Sequence, residues 1–141
     1  MIIVQKLLDN LSAQAKANPR LRQPYDLRTT PDDNRQRMLN ALEPGTIMPI
    51  HRHRNTSETI VIVRGKLNER FYDDKGNITE EFVMAPLPSP FVPEGECNEP
   101  FTPMVQIEAG RWHSLEVIES GTIVFESKDG AYEPLTKIDI K

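Results

Sequence analysis

Two histidines two residues apart, His51 and His53, are followed five positions later by Glu58, and these are the residues whose types and spacing could do chemistry. Side chains alternate faces along an extended chain, so both imidazoles should point the same way. A polar turn, Arg54-Asn55-Thr56-Ser57, leads into Glu58 and the β-branched run Thr59-Ile60-Val61-Ile62-Val63, which predicts a strand that Gly65 ends. Folded back as a hairpin, that strand would carry the Glu58 carboxylate to both rings. Neutral nitrogens and an anionic oxygen converging on one point suit a divalent transition metal.

The spacing also carries a resemblance. Gly45, five residues, His51-x-His53, four residues, Glu58, six residues and Gly65 resemble the first motif of the cupin superfamily without a substitution. The second cupin motif, which supplies a last ligand, is partial here: Gly110-Arg111-Trp112-His113 keeps the glycine and histidine, but Glu108 stands where the family has proline and Val117 where it has asparagine. The chain has three histidines, and all of them fall on ligand positions. Wider segments resemble the WbuC family of cupin-fold metalloproteins: Asn18-Pro19-Arg20-Leu21-Arg22, Arg37 to Gly45, Pro49 to His53, Gly110 to His113, Phe125-Glu126 and Asp129 to Tyr132. The resemblance implies an all-β cupin double-stranded β-helix, a jelly-roll barrel. It also implies one metal ion on His51, His53, Glu58 and His113, and a setting in surface-polysaccharide assembly.

The elements that must position these residues can be read in order. With 141 residues the chain is expected to form one cupin domain: an arm over 1–30, a barrel over 34–128, and a proline-rich insertion over 85–103. Val4, Leu7, Leu8, Leu11 and Ala15 keep helical spacing, predicting an N-terminal amphipathic helix over 5–17 after a short strand at 2–4. Asn18-Pro19 stops it. Pro24 and Pro31 mark a connector, and strands follow at 34–42, 66–72 and 78–84, the last two joined by the turn Asp73-Asp74-Lys75-Gly76-Asn77. The insertion holds six of the twelve prolines, so it cannot be a central strand. It reads either as a lid or as a surface or dimer-contact loop. Residues 104–107, 112–117 and 122–127 complete the strands, and the tail from Gly130 is expected on the surface or on a partner. Short alternating strands with turn residues between them fit a double-sheet jelly roll.

A net charge of −4 argues against a nucleic-acid surface. The single Cys97 excludes an intramolecular disulfide. Met1 to Val4 is too short for a signal sequence and no stretch is of membrane-spanning length, so a cytoplasmic protein, a homodimer as cupins commonly are, is expected.

Four protein ligands leave positions open on Fe(II), Mn(II), Ni(II) or Co(II), and fewer on Zn(II). Such an ion suits bidentate oxygen ligands and can act as a Lewis acid while a nearby base moves a proton. Glu108 and Glu126 are the candidate bases, each with a solvated carboxylate as its alternative. Arg37 is the candidate for binding a substrate carboxylate or phosphate, with an outward-facing arginine in a subunit salt bridge as its alternative. Arg20 and Arg22 are read as reaching a neighbouring subunit's pocket. Three functions stay open: a metal-dependent isomerase or epimerase acting on a sugar or sugar-nucleotide derivative, an Fe(II)-dependent dioxygenase, and a non-catalytic ligand-binding or sensory protein.

Overall fold

The computed structural model describes residues 1–87 and 101–141. Its helix α1, Gln5–Ala17, runs where the apolar spacing places it and buries Leu8, Leu11 and Ala15. Lys16 in its last turn complements the negative end of the helix dipole. Eight strands are described: β1 (Arg22–Asp26), β2 (Gln36–Leu42), β3 (Glu58–Arg64), β4 (Leu67–Tyr72), β5 (Ile78–Met84), β6 (Met104–Ile107), β7 (Trp112–Val117) and β8 (Thr122–Lys128). They form a five-stranded sheet, β1-β2-β8-β3-β6, facing a three-stranded sheet, β5-β4-β7. Most of the expected insertion, residues 88–100 with Cys97, lies outside the described residues, as does the question of a lid.

Strand parity sorts the large sheet into two cores. Leu39 and Ala41 of β2 and Ile123 of β8 face outward and pack under Leu8, Leu11 and Ala15 of the helix. Leu42, Ile60, Ile62 and Val124 face inward and meet Leu67, Phe71, Leu115 and Val117 of the small sheet. Burying each of these large side chains stabilises the fold by about 1.5–3 kcal/mol. The inward row continues past the apolar core into polar residues. Glu126 and Lys128 follow Val124 on β8 at two-residue steps, while Glu58 precedes Ile60 on β3. Register then sets Glu58 opposite Lys128 and Ile60 opposite Glu126.

Gly65 turns the chain from β3 to β4 at φ +75°, and a Cβ there would run into the side chain and backbone of Thr122. This motif glycine is required by a positive φ and by a close backbone approach together.

Three expectations need correction. Residues 2–4 are not a strand. The expected connector contains β1, which pairs with β2 along its whole length. Pro24 is tolerated there because β1 is an edge strand. The hairpin linking His51 and His53 to Glu58 does not form: β3 pairs with β8 and β6, whereas His51 bridges to His113 beside the small sheet. The stretch from Arg54 to Ser57 crosses between sheets instead of reversing within one. No helix of the described residues is long and apolar enough to cross a membrane.

Candidate metal centre

His51 and His113 exchange both backbone hydrogen bonds, at 3.0 and 2.9 Å. Directly opposed residues of an antiparallel pair send their side chains to the same face. The two ring centroids accordingly lie 4.2 Å apart. His53 is tied to the second motif by its carbonyl, which accepts from Gly110 N at 2.7 Å. One ligand-type atom from each of the three histidines falls within 4.8 Å of the others. Glu58 reaches this cluster from the opposite sheet, its Oε2 3.5 Å from His53 Nε2 and 3.4 Å from His113 Nε2. All four residues of the two motifs therefore meet, though by joining two sheets at one end of the barrel.

The hydrogen bonds around the cluster test whether a metal ion fits it. His51 Nδ1 lies 2.9 Å from Pro49 O and His113 Nδ1 lies 3.0 Å from Arg111 O. A carbonyl only accepts, so each Nδ1 carries the proton and each Nε2 presents a lone pair. Among the described residues, His53 Nε2 and Glu58 Oε2 are buried with no hydrogen-bond partner. Glu58 Oε1, in contrast, faces Lys128 Nζ at 3.4 Å. One carboxylate oxygen is thus held by an ammonium while the other is left for a cation.

Electrostatics prepares the same state. Burial, followed by the neighbouring His113, pulls His51 down to about 3. Burial and then the Lys128 charge pull His53 down to about 4. Both rings are neutral at ordinary pH, as metal ligation requires. Burial opposes ionisation of Glu58, but contact with the His113 ring and the Lys128 charge outweigh it and hold the carboxyl at about 2. The donor set fits a divalent transition ion.

The cluster stands in a cavity of about 380 Å³ floored by Met48, Ile60 and Leu115. Of the two candidate bases, Glu126 lines this cavity and Glu108 does not; Glu108 is exposed in the turn before β7. Burial first, and then the charge of Glu58, push Glu126 up to about 7. Asn40 Nδ2 donates to its Oε1 at 3.3 Å. Arg37 is a correction: Gln36 and Asn40 face the cavity, and the odd parity of Arg37 turns it away to pair with Asp33 at 2.6 Å. Arg20 and Arg22 line this chain's own cavity rather than being turned away from it.

The tail lies on the surface, as expected, and also packs along the first motif: Arg52 N donates to Asp139 O at 3.1 Å and Lys141 N to Ile50 O at 2.9 Å. Asp139 also pairs with Arg54 at 2.7 Å. Residues 131–136 thereby become a wall of the cavity. Trp112 is buried and packs outside the cavity, its indole N–H donating to Asp74 at 3.0 Å. Sequence reasoning missed Lys128, Asn40 and the tail. Lys128 alone had a signal, lying one alternation step beyond Glu126.

The architecture matches known proteins. A family model described as "Domain of unknown function (DUF6016)" matches residues 3–84, more than half of the chain. No curated protein matches the sequence. Among solved structures the chain is similar to KdgF from Halomonas sp., at 12% identity and TM-score 0.58, over 82% of this chain and 84% of that one. It is similar to an oxalate decarboxylase variant from Bacillus subtilis, at 18% identity and TM-score 0.55, over 80% of this chain and 26% of that one. The cupin domain of Cnp3 from Schizosaccharomyces pombe is similar at 10% identity and TM-score 0.55, over 77% and 64%. The chain thus spans about a quarter of the length of the oxalate decarboxylase. Likeness at these identities establishes the fold alone, a mostly β two-sheet cupin-like fold with a single N-terminal helix.

Proposed function

This chain belongs to the DUF6016 family, and we propose that it is a metal-dependent isomerase or epimerase acting on a small polar molecule such as a sugar or sugar-nucleotide derivative. The observation that carries this reading is Glu126, a buried carboxyl at about 7 in the same cavity as the three-histidine cluster. Moving a proton between carbons next to a carbonyl needs an electrophile and a base whose pKa lies near the working pH. A divalent ion held by His51, His53, His113 and Glu58 would supply the Lewis acidity that makes such a proton removable. Glu126 would accept that proton on a carboxylate oxygen and return it to the neighbouring carbon or the opposite face, with no net change in oxidation state. Asn40 holds Oε1 of Glu126, leaving Oε2 as the acceptor. Lys128 keeps Glu58 ionised and oriented.

The likeness to the WbuC family in both motifs supports a place in surface-polysaccharide assembly. The protein is also proposed to be a homodimer, favoured by exposed Ile2, Ile3 and Val4 ahead of α1. Mn(II) is the first ion to test, since Mn(II) centres are named for the Bacillus subtilis oxalate decarboxylase.

The test is solvent exchange. Protein loaded with Mn(II) is incubated in deuterium oxide with a panel of hydroxy-carbonyl sugars, and then each sugar is analysed by mass spectrometry after metal removal. Deuterium should enter one carbon-bound position, and Glu126→Gln should abolish the exchange while keeping its metal. Metal-loaded protein that labels no sugar, or labelling that survives Glu126→Gln, would count against the reading.

A further inference from the structure

The ten arginines of this chain divide by partner. Six of them, Arg28, Arg37, Arg54, Arg64, Arg70 and Arg111, form ion pairs with carboxylates. Among the described residues no such pair is recorded for Arg20, Arg22, Arg35 or Arg52, and three of these four, all but Arg35, line the metal cavity. Arg52 has other company, lying 4.4 Å over the Trp112 ring and donating to Ile138 O at 3.4 Å. Arg22 has little: its recorded side-chain contact is to Met48 Sδ at 3.5 Å, a weak acceptor.

The other charges of the cavity do not fill this gap. Lys128 is engaged with Glu58, and Arg54 with Asp139. Glu133 faces Asn55 at 3.3 Å. Glu126 is the acidic group whose charge Arg22 feels, yet no ion pair joins them. Burial first, and then the like charge of Arg20, pull the Arg22 guanidinium below its ordinary range. Arg20 and Arg22 line the same cavity, and an anion bound between two like charges offsets their repulsion. A planar fork of N–H donors also matches carboxylate or phosphate oxygens in pairs.

We propose that the substrate of this site carries an anionic group, a carboxylate or a phosphate, which Arg20 and Arg22 clamp while its neighbouring oxygens reach the histidine cluster. The proposal rests on the metal-centre reading above and narrows its substrate class. Arg20 and Arg22 stand just before and at the start of β1, an edge strand, so the clamp is positioned by the five-stranded sheet and the metal residues come mainly from beside the small one. A substrate would bridge the two.

Three probes with one carbon skeleton test this by calorimetric titration: glycerate, glycerol 3-phosphate and uncharged glycerol, each added to the Mn(II)-loaded protein. At least one anion should bind ten times more tightly than glycerol or better. Arg22→Met should lose about tenfold or more of that affinity, and Arg22→Lys less. Arg35→Met, outside the metal cavity, should lose none. The anion that binds better separates carboxylate from phosphate recognition. Metal content and melting temperature of each variant are measured alongside. An Arg22→Met protein that stays folded and metallated, yet binds both anions as the wild type does, overturns the clamp and leaves the metal reading standing. Failure of both anions to bind the metallated wild type overturns it too. Anion binding that depends on Arg22 in a protein that takes up no metal keeps the clamp and removes the metal reading.

Discussion

The side chains that matter most are those left without partners. Among the described residues His53 Nε2 and Glu58 Oε2 are buried and unpartnered beside one another, and a cation would satisfy both. Glu69 is different. Its side chain is fully buried on β4, neither oxygen has a partner among the described residues, and burial, reinforced by the charges of Glu58 and Glu126, holds its carboxyl well above the usual range. An unpartnered buried polar group costs about 1–3 kcal/mol. Glu69→Met, similar in size and apolar, should therefore raise stability in urea denaturation by about 1 kcal/mol or more. The sign with pH follows from linkage: a carboxyl whose folded pKa is raised stabilises fully only below its unfolded value of 4.5, and that contribution falls as pH rises. The gain should be larger at pH 8 than at pH 4; an equal or smaller gain at pH 8 would mean that Glu69 is satisfied in solution. The histidines run the other way. Because His51 and His53 are lowered from 6.5 to about 3 and about 4, the metal-free protein should keep their contribution above pH 6.5 and lose it as pH falls toward 4 and then 3. Thermal melts of chelated protein across pH 3–8 check this. A melting temperature flat from pH 7 to pH 4 would contradict it.

The elements bring these residues together in a way that local sequence only partly exposes. The register of His51, His53, Glu58 and His113 was legible because metal ligation demands fixed residue types at fixed intervals. The pairing behind it was not. Glu58 sits opposite Lys128, 70 residues away, and β-branched runs such as Thr59 to Val63 do not name their partners. A polar turn before a strand looks like a hairpin whether it reverses within a sheet or crosses to another. The edge strand β1 was hidden by Pro24, whose missing N–H matters only in a central strand. Arg20 and Arg22 could be singled out as pocket residues, but that the pocket is this chain's own depended on β1 and was hidden with it. The tail was unreadable for a similar reason. Its hold on the first motif includes the Asp139–Arg54 ion pair but rests also on backbone hydrogen bonds, from Lys141 N to Ile50 O and from Arg52 N to Asp139 O, which leave no side-chain pattern. Those bonds support the extended segment that carries His51, so deleting residues 137–141 should weaken metal binding on the order of 10-fold, the scale of a lost supporting contact. Titration of the truncated protein measures it, and unchanged affinity would show that the tail merely covers the site.

For the whole molecule, two sheets hold one site between them and a helix covers the outer face of the larger. Leu8, Leu11 and Ala15 shield Leu39, Ala41 and Ile123, so the inner face is free to give up apolar residues at one end for Glu58, Glu126 and Lys128. That division explains how a small barrel keeps a dry core and a charged cavity at once. It also makes metal binding a property of the assembled fold, since His51, Glu58 and His113 come from three separate segments. An ion that binds only the folded chain stabilises it by mass action. The central claim, that the three histidines and Glu58 grip one ion, is tested most directly by calorimetric titration of metal-free protein with Co(II), wild type beside His113→Ala. The account predicts one ion per chain in the wild type and a loss of at least about 10-fold in affinity when His113 is removed. Equal Co(II) affinity in the two proteins, or no binding in the wild type, would contradict it.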